Sequence, residues 1–269
     1  MKYDPIKRTL GKVFNITPRF RILFYRMLDI LLLRTWYVRK ELRLWMAGHP
    51  LKSRILDAGS GFGQYTWFIS GMNHLWEIDA VDVKEEQIAD CTTFFKKARR
   101  DNVRFEVADL TTFRREETYD LILSVDVMEH IAEDEAVFSN FYHSLKPGGM
   151  LLVSTPSDQG GSDVHDHGEE DSFIDEHVRD GYNIDDIRQK LTRAGFSRTE
   201  ACYSYGKPGQ AAWRLSMKYP ILMLNASKLF FILLPFWYLF TFPVSLYLNS
   251  RDLRGKHNTG TGLIVKAWK

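Results

Sequence analysis

The chain has 269 residues, 45% hydrophobic and 14% aromatic, which excludes a disordered polypeptide and allows one large domain or two small ones. Its two cysteines, Cys91 and Cys202, stand far apart, which argues against a disulfide framework or a zinc ribbon. With no signal-type leader, a reducing cytoplasmic setting is expected. The net charge of +2 hides an asymmetry: residues 1–54 carry +10, 55–200 carry −16 and 201–269 carry +8. Basic ends suit nucleic acid or an anionic membrane surface, and their neighbours must decide.

Residues 18–47 read as one long helix or two consecutive ones, with Thr17 as N-cap and Pro18 at the first helical position. Apolar residues from Phe20 to Leu33 are interleaved with Arg19, Arg21, Arg26 and Arg34, and Trp36 and Tyr37 follow. Arg26 and Asp29 argue against a simple membrane span. A basic amphipathic helix lying in a membrane interface is the favoured reading. The other is a helix that covers the core and leaves its arginines in water.

Strands and helices then alternate, the pattern of a parallel sheet covered on both faces. The first strand ends at Asp57, before a helix over 64–70. Strands follow at 77–83, 103–107 and 119–125, with a helix over 84–99 between the first two of these. A helix over 133–145 stops at Pro147–Gly148–Gly149, and the fifth strand is 150–154. Residues 157–180 form a long polar loop. A helix over 184–193, capped by Asn183 and stopped by Gly195, precedes a sixth strand at 198–205, and 262–268 is the seventh.

Between the last two strands, residues 229–248 run for twenty positions without a charge, which meets the length of a transmembrane helix. If strand seven returns to the same sheet, one crossing would strand it across the bilayer, and two crossings need about 40 residues. Pro235 and Pro243 are expected to break the helix. A re-entrant or in-plane helical pair fits better.

The segment 54–65, R-I-L-D-A-G-S-G-F-G-Q-Y, is a strand, a glycine-rich turn and a helix, which sets backbone N–H groups and a helix N-terminus beside a ligand. Alone it is a weak signal. Three more features stand at the carboxyl ends of successive strands, where open α/β sheets bind ligands. Asp82 ends strand two, in the place of an acid that holds two ribose hydroxyls. Asp109 and Leu110 follow strand three. Ser124-Val-Asp126-Val-Met-Glu-His130 follows strand four and would line the far side of the ligand. One such acid is most often a turn or helix cap, but four in register reverse those odds.

Together, D-A-G-S-G-F-G, A-V-D-V, A-D-L, Y-D-L-I-L-S-V-D-V-M-E-H-I and L-K-P-G-G resemble the class I S-adenosylmethionine-dependent methyltransferases, over about 52–200 plus the last strand. The spacing D-x-G-x-G-x-G departs from the G-x-G-x-x-G of nicotinamide dehydrogenases. The resemblance implies a doubly wound, seven-stranded, mostly parallel α/β sheet with an antiparallel last strand and helices on both faces. It implies that Asp57, Gly59, Gly61 and Gly63 meet the methionine end of S-adenosyl-L-methionine, Asp82 the ribose, and Asp109 and Leu110 the adenine. Tyr65, Val83, Ser124 and Asp126 complete the expected cofactor contacts. His130 is a candidate general base that in the family often only packs beside the cofactor. His177 is a second, as base or substrate contact. The loop histidines His165, His167 and His177 stand among carboxylates, where a metal site is weighed against a solvated acidic loop. The latter is favoured, and no metal is expected.

The domains are expected at 1–50 (basic helices), 51–206 with 259–269 (the cofactor domain) and 207–258 (an apolar insertion). The insertion leaves from the ligand edge of the sheet, which the N-terminal helices are expected to close too. This predicts an anionic membrane surface as partner through 18–37 and 219–248, and a peripheral, monotopic place on the cytoplasmic face. Lys218, Lys228, Arg251, Arg254 and Lys256 with Trp237, Tyr238 and Tyr247 would meet that interface. The expected acceptor is lipid-like: a quinone precursor, an isoprenoid lipid, or a lipid-linked phenol or sugar. The alternatives are a soluble acceptor with the insertion as lid or dimer interface, and a non-catalytic, membrane-bound cofactor-binding protein. Nucleic acid is disfavoured, because the basic ends are filled with Leu, Ile and Phe.

Overall fold

Seven apolar runs become seven strands of one sheet in a computed structural model that describes residues 18–48, 52–160 and 178–269. They are β1 (Arg54–Ala58), β2 (Glu77–Asp82), β3 (Val103–Val107), β4 (Tyr119–Val125), β5 (Leu145–Pro156), β6 (Arg198–Ser204) and β7 (Gly262–Trp268). The spatial order is β3-β2-β1-β4-β5-β7-β6. All pairings are parallel except those of β7, which runs antiparallel to β5 and β6 on either side.

Helices cover both faces. α1 (Pro18–Leu31) and α2 (Leu33–Ala47) are separated by the extended Leu32; α3 (Gln64–Met72), α4 (Glu85–Lys97), α5 (Asp134–Ser144) and α6 (Ile184–Ala194) are the crossover helices. Alternation along the strands splits the core. Leu56, Ile122, Leu151 and Val265 pack with α5 and α6, whereas Ile55, Leu121, Leu152 and Ile264 pack with α2 and Ile69 of α3. Leu33, Tyr37, Val38, Leu42 and Trp45 give α2 its buried face. Each such side chain contributes roughly 1.5–3 kcal/mol. Asn183 caps α6 by accepting from Asp185 N and Asp186 N, and Gly195 ends it at φ 109°.

Most boundaries fall within two residues of the sequence reading, and two features differ more. β5 begins at Leu145, before Pro147–Gly148–Gly149. Leu145 pairs with Tyr119 and Met150 with Leu121, so the Pro-Gly-Gly turn is extruded as a bulge within the strand. The helix predicted to break at Pro243 is continuous: α9 (Leu234–Arg254) carries Pro243 in its interior, with Pro235 in its first turn where no N–H is missed. The N-cap expected at Thr17 lies outside the described residues.

The insertion is a helical hairpin. Its first arm is α7 (Lys207–Trp213), a π-helical turn (Arg214–Lys218) and α8 (Tyr219–Ala226); a 3₁₀ turn (Lys228–Ile232) leads into α9, the second arm. Trp237 Nε1 donates to Leu215 O and Tyr238 Oη to Ser216 O, both at 2.9 Å. These two aromatics, expected at a membrane interface, thus satisfy carbonyls of the π turn within the hairpin. Tyr247 is exposed. No helix among the described residues is long and apolar enough to cross a membrane.

The root of the hairpin is fixed by one fully buried carboxylate. Asp252 of α9 accepts from Tyr37 Oη of α2 at 2.7 Å and from Gly209 N of α7 at 2.9 Å, and His257 Nε2 lies 3.4 Å away. A side chain at Gly209 would collide with Leu33 and Asp252. Asp252→Ala strands these donors and is expected to lose about 3 kcal/mol in urea unfolding, with early proteolysis of the hairpin, whereas Tyr37→Phe should lose about 1 kcal/mol. Equal stability of Asp252→Ala and the native chain would contradict this anchoring role.

Candidate functional site

The turn from β1 into α3 has too few residues for ordinary backbone angles. Gly59 takes φ 81°, and a Cβ there would lie 2.2 Å from Val127 Cγ2. Gly59 N and Ser60 N both donate to Val81 O at 2.9 Å, which ties the turn to β2. Gly63, at φ 74°, occupies the N-cap of α3. A Cβ on Gly61 would meet nothing nearer than 3.9 Å, so this part of the turn faces open space.

Two carboxylates support the turn. Asp57 is buried and accepts from Thr66 Oγ1 at 2.5 Å. Burial pushes its carboxyl up to about 6; the Thr66 bond pulls it down, and the Asp82 carboxylate nearby pushes it further up. Asp82, at the end of β2, accepts from Gly61 N through Oδ2 and from Lys84 N through Oδ1, each at 2.9 Å. The Ser60 and Ser124 hydroxyls are buried with no hydrogen-bond partner among the described residues. Orphaned hydroxyls, an open glycine face and repelling carboxylates fit a polar, cationic ligand such as S-adenosylmethionine.

Next to Asp82, Val83 is exposed, as is Phe62 in the turn. Asp109 closes a local turn by accepting from Thr111 N and Oγ1 through Oδ1. The Leu110 side chain is in the core and its carbonyl accepts from Asn140 Nδ2 at 3.0 Å. Asp109 thus spends one carboxylate oxygen on the chain itself.

The N-terminal helices close this edge. Arg21 of α1 is buried, which neither reading of this helix placed there: its Nε donates to Tyr25 Oη at 2.8 Å and its Nη2 to Phe62 O at 2.8 Å. Polar groups thus hold α1 on the glycine turn, while Phe20, Leu23, Met27 and Ile30 point outward at helical spacing. Gln64 Nε2 donates to Asp29 Oδ1 at 3.0 Å, and Tyr65 Oη lies 3.4 Å from Thr35 Oγ1. Arg34 of α2 forms an ion pair with Asp126, a non-glycine residue held at φ 51° after β4. Tyr205 Oη, beyond β6, accepts from Arg34 N at 3.0 Å and so satisfies the start of α2.

Glu129 and Arg34 were not singled out as site residues. Glu129 is 1% exposed and accepts from Thr155 Oγ1 at 3.1 Å. Burial raises its carboxyl; its own backbone N–H, His130, Thr155 and Arg34 act the other way. Its signal was the motif V-M-E-H itself. Arg34 had no local signal, because its partner lies across the fold. His130 is exposed on the 3₁₀ turn Met128–His130. The chain returns to that turn through Val178 N, which donates to Glu129 O, and Tyr182 Oη, which donates to Met128 O. His177, with His165, His167 and the acidic loop around them, lies outside the described residues. Among the described residues no group of three or more His, Cys, Asp or Glu could hold a metal ion.

Asp57 yields a test that needs no ligand. Its folded pKa is raised above the unfolded value, so the ionised form lowers stability, and that loss grows as pH rises from about 4 through about 6. Asp57→Asn removes the ionisation and keeps an acceptor for Thr66. It should exceed the native chain by about 1–3 kcal/mol in denaturant unfolding at pH 8 and match it near pH 4.

The chain resembles known proteins in sequence and in fold. Residues 56–151 match the family model described as "Methyltransferase domain". A phosphoethanolamine N-methyltransferase of Triticum aestivum is 29% identical over 144 residues, 53% of this chain and 28% of the relative. A ubiquinone biosynthesis O-methyltransferase of Rickettsia akari is 24% identical over 125 residues, 46% of this chain and 48% of the relative. The chain thus spans between a quarter and a half of the length of these relatives. Among solved structures, phosphoethanolamine N-methyltransferase 2 of Haemonchus contortus in complex with S-adenosyl-L-methionine shares the fold. Its TM-score is 0.56 at 19% identity, over 86% of this chain and 52% of the other.

Proposed function

We propose that the chain is a class I methyltransferase that transfers a methyl group from S-adenosylmethionine to a lipid-like acceptor dissolved in a membrane; the match of 56–151 to a methyltransferase-domain model and the shared fold support the first part. When bound, the cofactor supplies an electrophilic methyl on a sulfonium, whose positive charge is lost as the methyl leaves. The protein's contribution is placement and electrostatics. Asp82 would hold the ribose hydroxyls, giving up its bond to Gly61 N. Asp57 and the glycine turn would take the methionine end, the exposed Val83 would wall the adenine, and Asp109 with the backbone of Leu110 would meet it.

Methylation of an oxygen or nitrogen also releases a proton. His130, exposed beside the buried Glu129, is the candidate to receive it. Arg34, paired with Asp126, would fix α2 over the reacting groups and help to exclude water.

The observation that carries the lipid reading is an apolar face on the same edge as the site. Leu229, Phe231, Ile232, Phe236, Leu239 and Phe240 at the hairpin end are 62–75% exposed, and α1 adds its outward stripe. A monomer seldom leaves so much contiguous apolar surface in water. The relatives' names mention a quinone pathway in one case and a small polar amine in the other, so the acceptor class rests on this surface. The protein would then sit peripherally on the cytoplasmic face of a membrane.

Calorimetry should show S-adenosylmethionine binding to the native chain, weakened about 10- to 100-fold by Asp82→Ala. Absence of native binding would remove the enzyme reading. The acceptor can be sought by incubating the chain with methyl-labelled cofactor and a total lipid extract. Mass spectrometry should find label in an organic-soluble species. Label confined to water-soluble products would instead favour a soluble acceptor, with the hairpin as a lid or dimer interface.

A further inference from the structure

A cleft of about 490 Å³ opens between the end of α1, the outer face of α2 and the last turns of α9. Asp29, Trp36, Arg39, Lys40, Arg43 and Leu253 line it. Its charges do not balance. Arg39 pairs with Asp29 at 2.6 Å, and its guanidinium lies 4.0 Å over the Phe68 ring, so it is fixed and neutralised in the wall. Lys40 Nζ donates to a backbone carbonyl, Leu253 O at 3.2 Å, and Arg43 stands 5.8 Å from the Phe68 ring centroid. Neither has a carboxylate partner among the described residues. Two positive charges therefore face an apolar-rimmed cleft without a counter-charge.

The surroundings point to the source of the missing anion. On α9 the exposed positions Phe236, Phe240, Val244 and Tyr247 recur at helical spacing, and the same face continues into Arg251 and Arg254. Those arginines and Tyr247 line a second cleft at the end of the helix. At about 1.5 Å per residue, Arg251 lies about 10 Å behind Val244 along the axis. That step matches the distance from the acyl boundary to the phosphate layer of one leaflet, roughly 5–10 Å. Trp36 rims the first cleft, its Nε1 donating to Ile30 O at 3.2 Å at the end of the exposed stripe of α1. Apolar end, aromatic rim and basic root thus occur in the order in which a leaflet presents acyl chains, interface and phosphates.

We infer that the cleft between α1, α2 and α9 binds the phosphate of an anionic membrane lipid through Lys40 and Arg43. This rests on the proposed membrane docking and adds to it one built headgroup site. A lysine and an arginine side by side supply a point charge and a planar fork to phosphate oxygens. Seating a lipid there would fix the depth of the hairpin and turn the ligand edge of the sheet toward the bilayer.

The test uses the full chain in co-sedimentation with vesicles of phosphatidylcholine alone or with one third phosphatidylglycerol. The native chain should bind both and prefer the anionic vesicles. At about one kcal/mol per basic residue near such a surface, Lys40→Gln/Arg43→Gln should cut that preference roughly 30-fold and leave phosphatidylcholine binding in place. Lys96→Gln/Lys97→Gln, an exposed pair at the end of α4, should keep it. The inference is overturned if the Lys40/Arg43 variant retains the preference, or if the α4 variant loses as much. Release of the native chain from anionic vesicles by millimolar inorganic phosphate, at constant ionic strength, would make this a free-phosphate site and overturn the lipid assignment. If the native chain ignores both kinds of vesicle, the docking reading itself fails and this inference falls with it.

Discussion

Everything distinctive about this chain follows from where β7 must lie. The last strand enters the sheet antiparallel between β5 and β6, with Gly262 opposite both Pro156 and Ser204. The segment between β6 and β7 therefore leaves and re-enters the sheet at a single edge, and can only go out and come back. The largely apolar segment 219–248, placed there, becomes part of a hairpin, and Asp252 locks its root to α2 and α7. Because β1, β2 and β4 also end at that edge, the hairpin, the N-terminal helices and the glycine turn share one side of the molecule.

Electrostatics at the turn complement that geometry. Burying Asp57 near Asp82 costs stability when the carboxylate is ionised, and the hydroxyl and backbone N–H of Thr66 offset part of that cost. A cationic ligand would relieve the repulsion. The same edge holds Asp126 in a left-handed conformation against Arg34. The ligand edge thus holds one left-handed non-glycine residue and one buried carboxylate of raised pKa beside the glycine turn.

Much of this was legible in the chain itself. Apolar runs followed by Asp or Gly mark β1, β2 and β4 almost to the residue, because a strand buried on both faces has a distinctive composition. Asn183 and Gly195 bounded α6 for the local reasons their residue types suggest. The failures were long-range. Pro243 is carried inside α9, and the Pro-Gly-Gly turn is absorbed as a bulge because β4 pairs on both sides of it. The inward turn of Arg21 depends on Phe62 and Tyr25, and those of Trp237 and Tyr238 on carbonyls freed by a π turn on another helix. The Arg34–Asp126 pair joins residues that no local pattern connects. In the site, the glycines and Asp82 could be read from spacing and Glu129 lay within the V-M-E-H motif, whereas its burial against Thr155 is a property of the fold.

The central claim is that the apolar edge delivers the active site to acceptors held in a bilayer. The most direct measurement compares methyl transfer from labelled S-adenosylmethionine into a total lipid extract presented as vesicles and as a detergent dispersion. It is made on the native chain and on Phe236→Ser/Phe240→Ser, whose two side chains are exposed at the hairpin end. The account predicts that the variant keeps its transfer in detergent and loses most of it on vesicles. Equal transfer by both proteins on vesicles would contradict it.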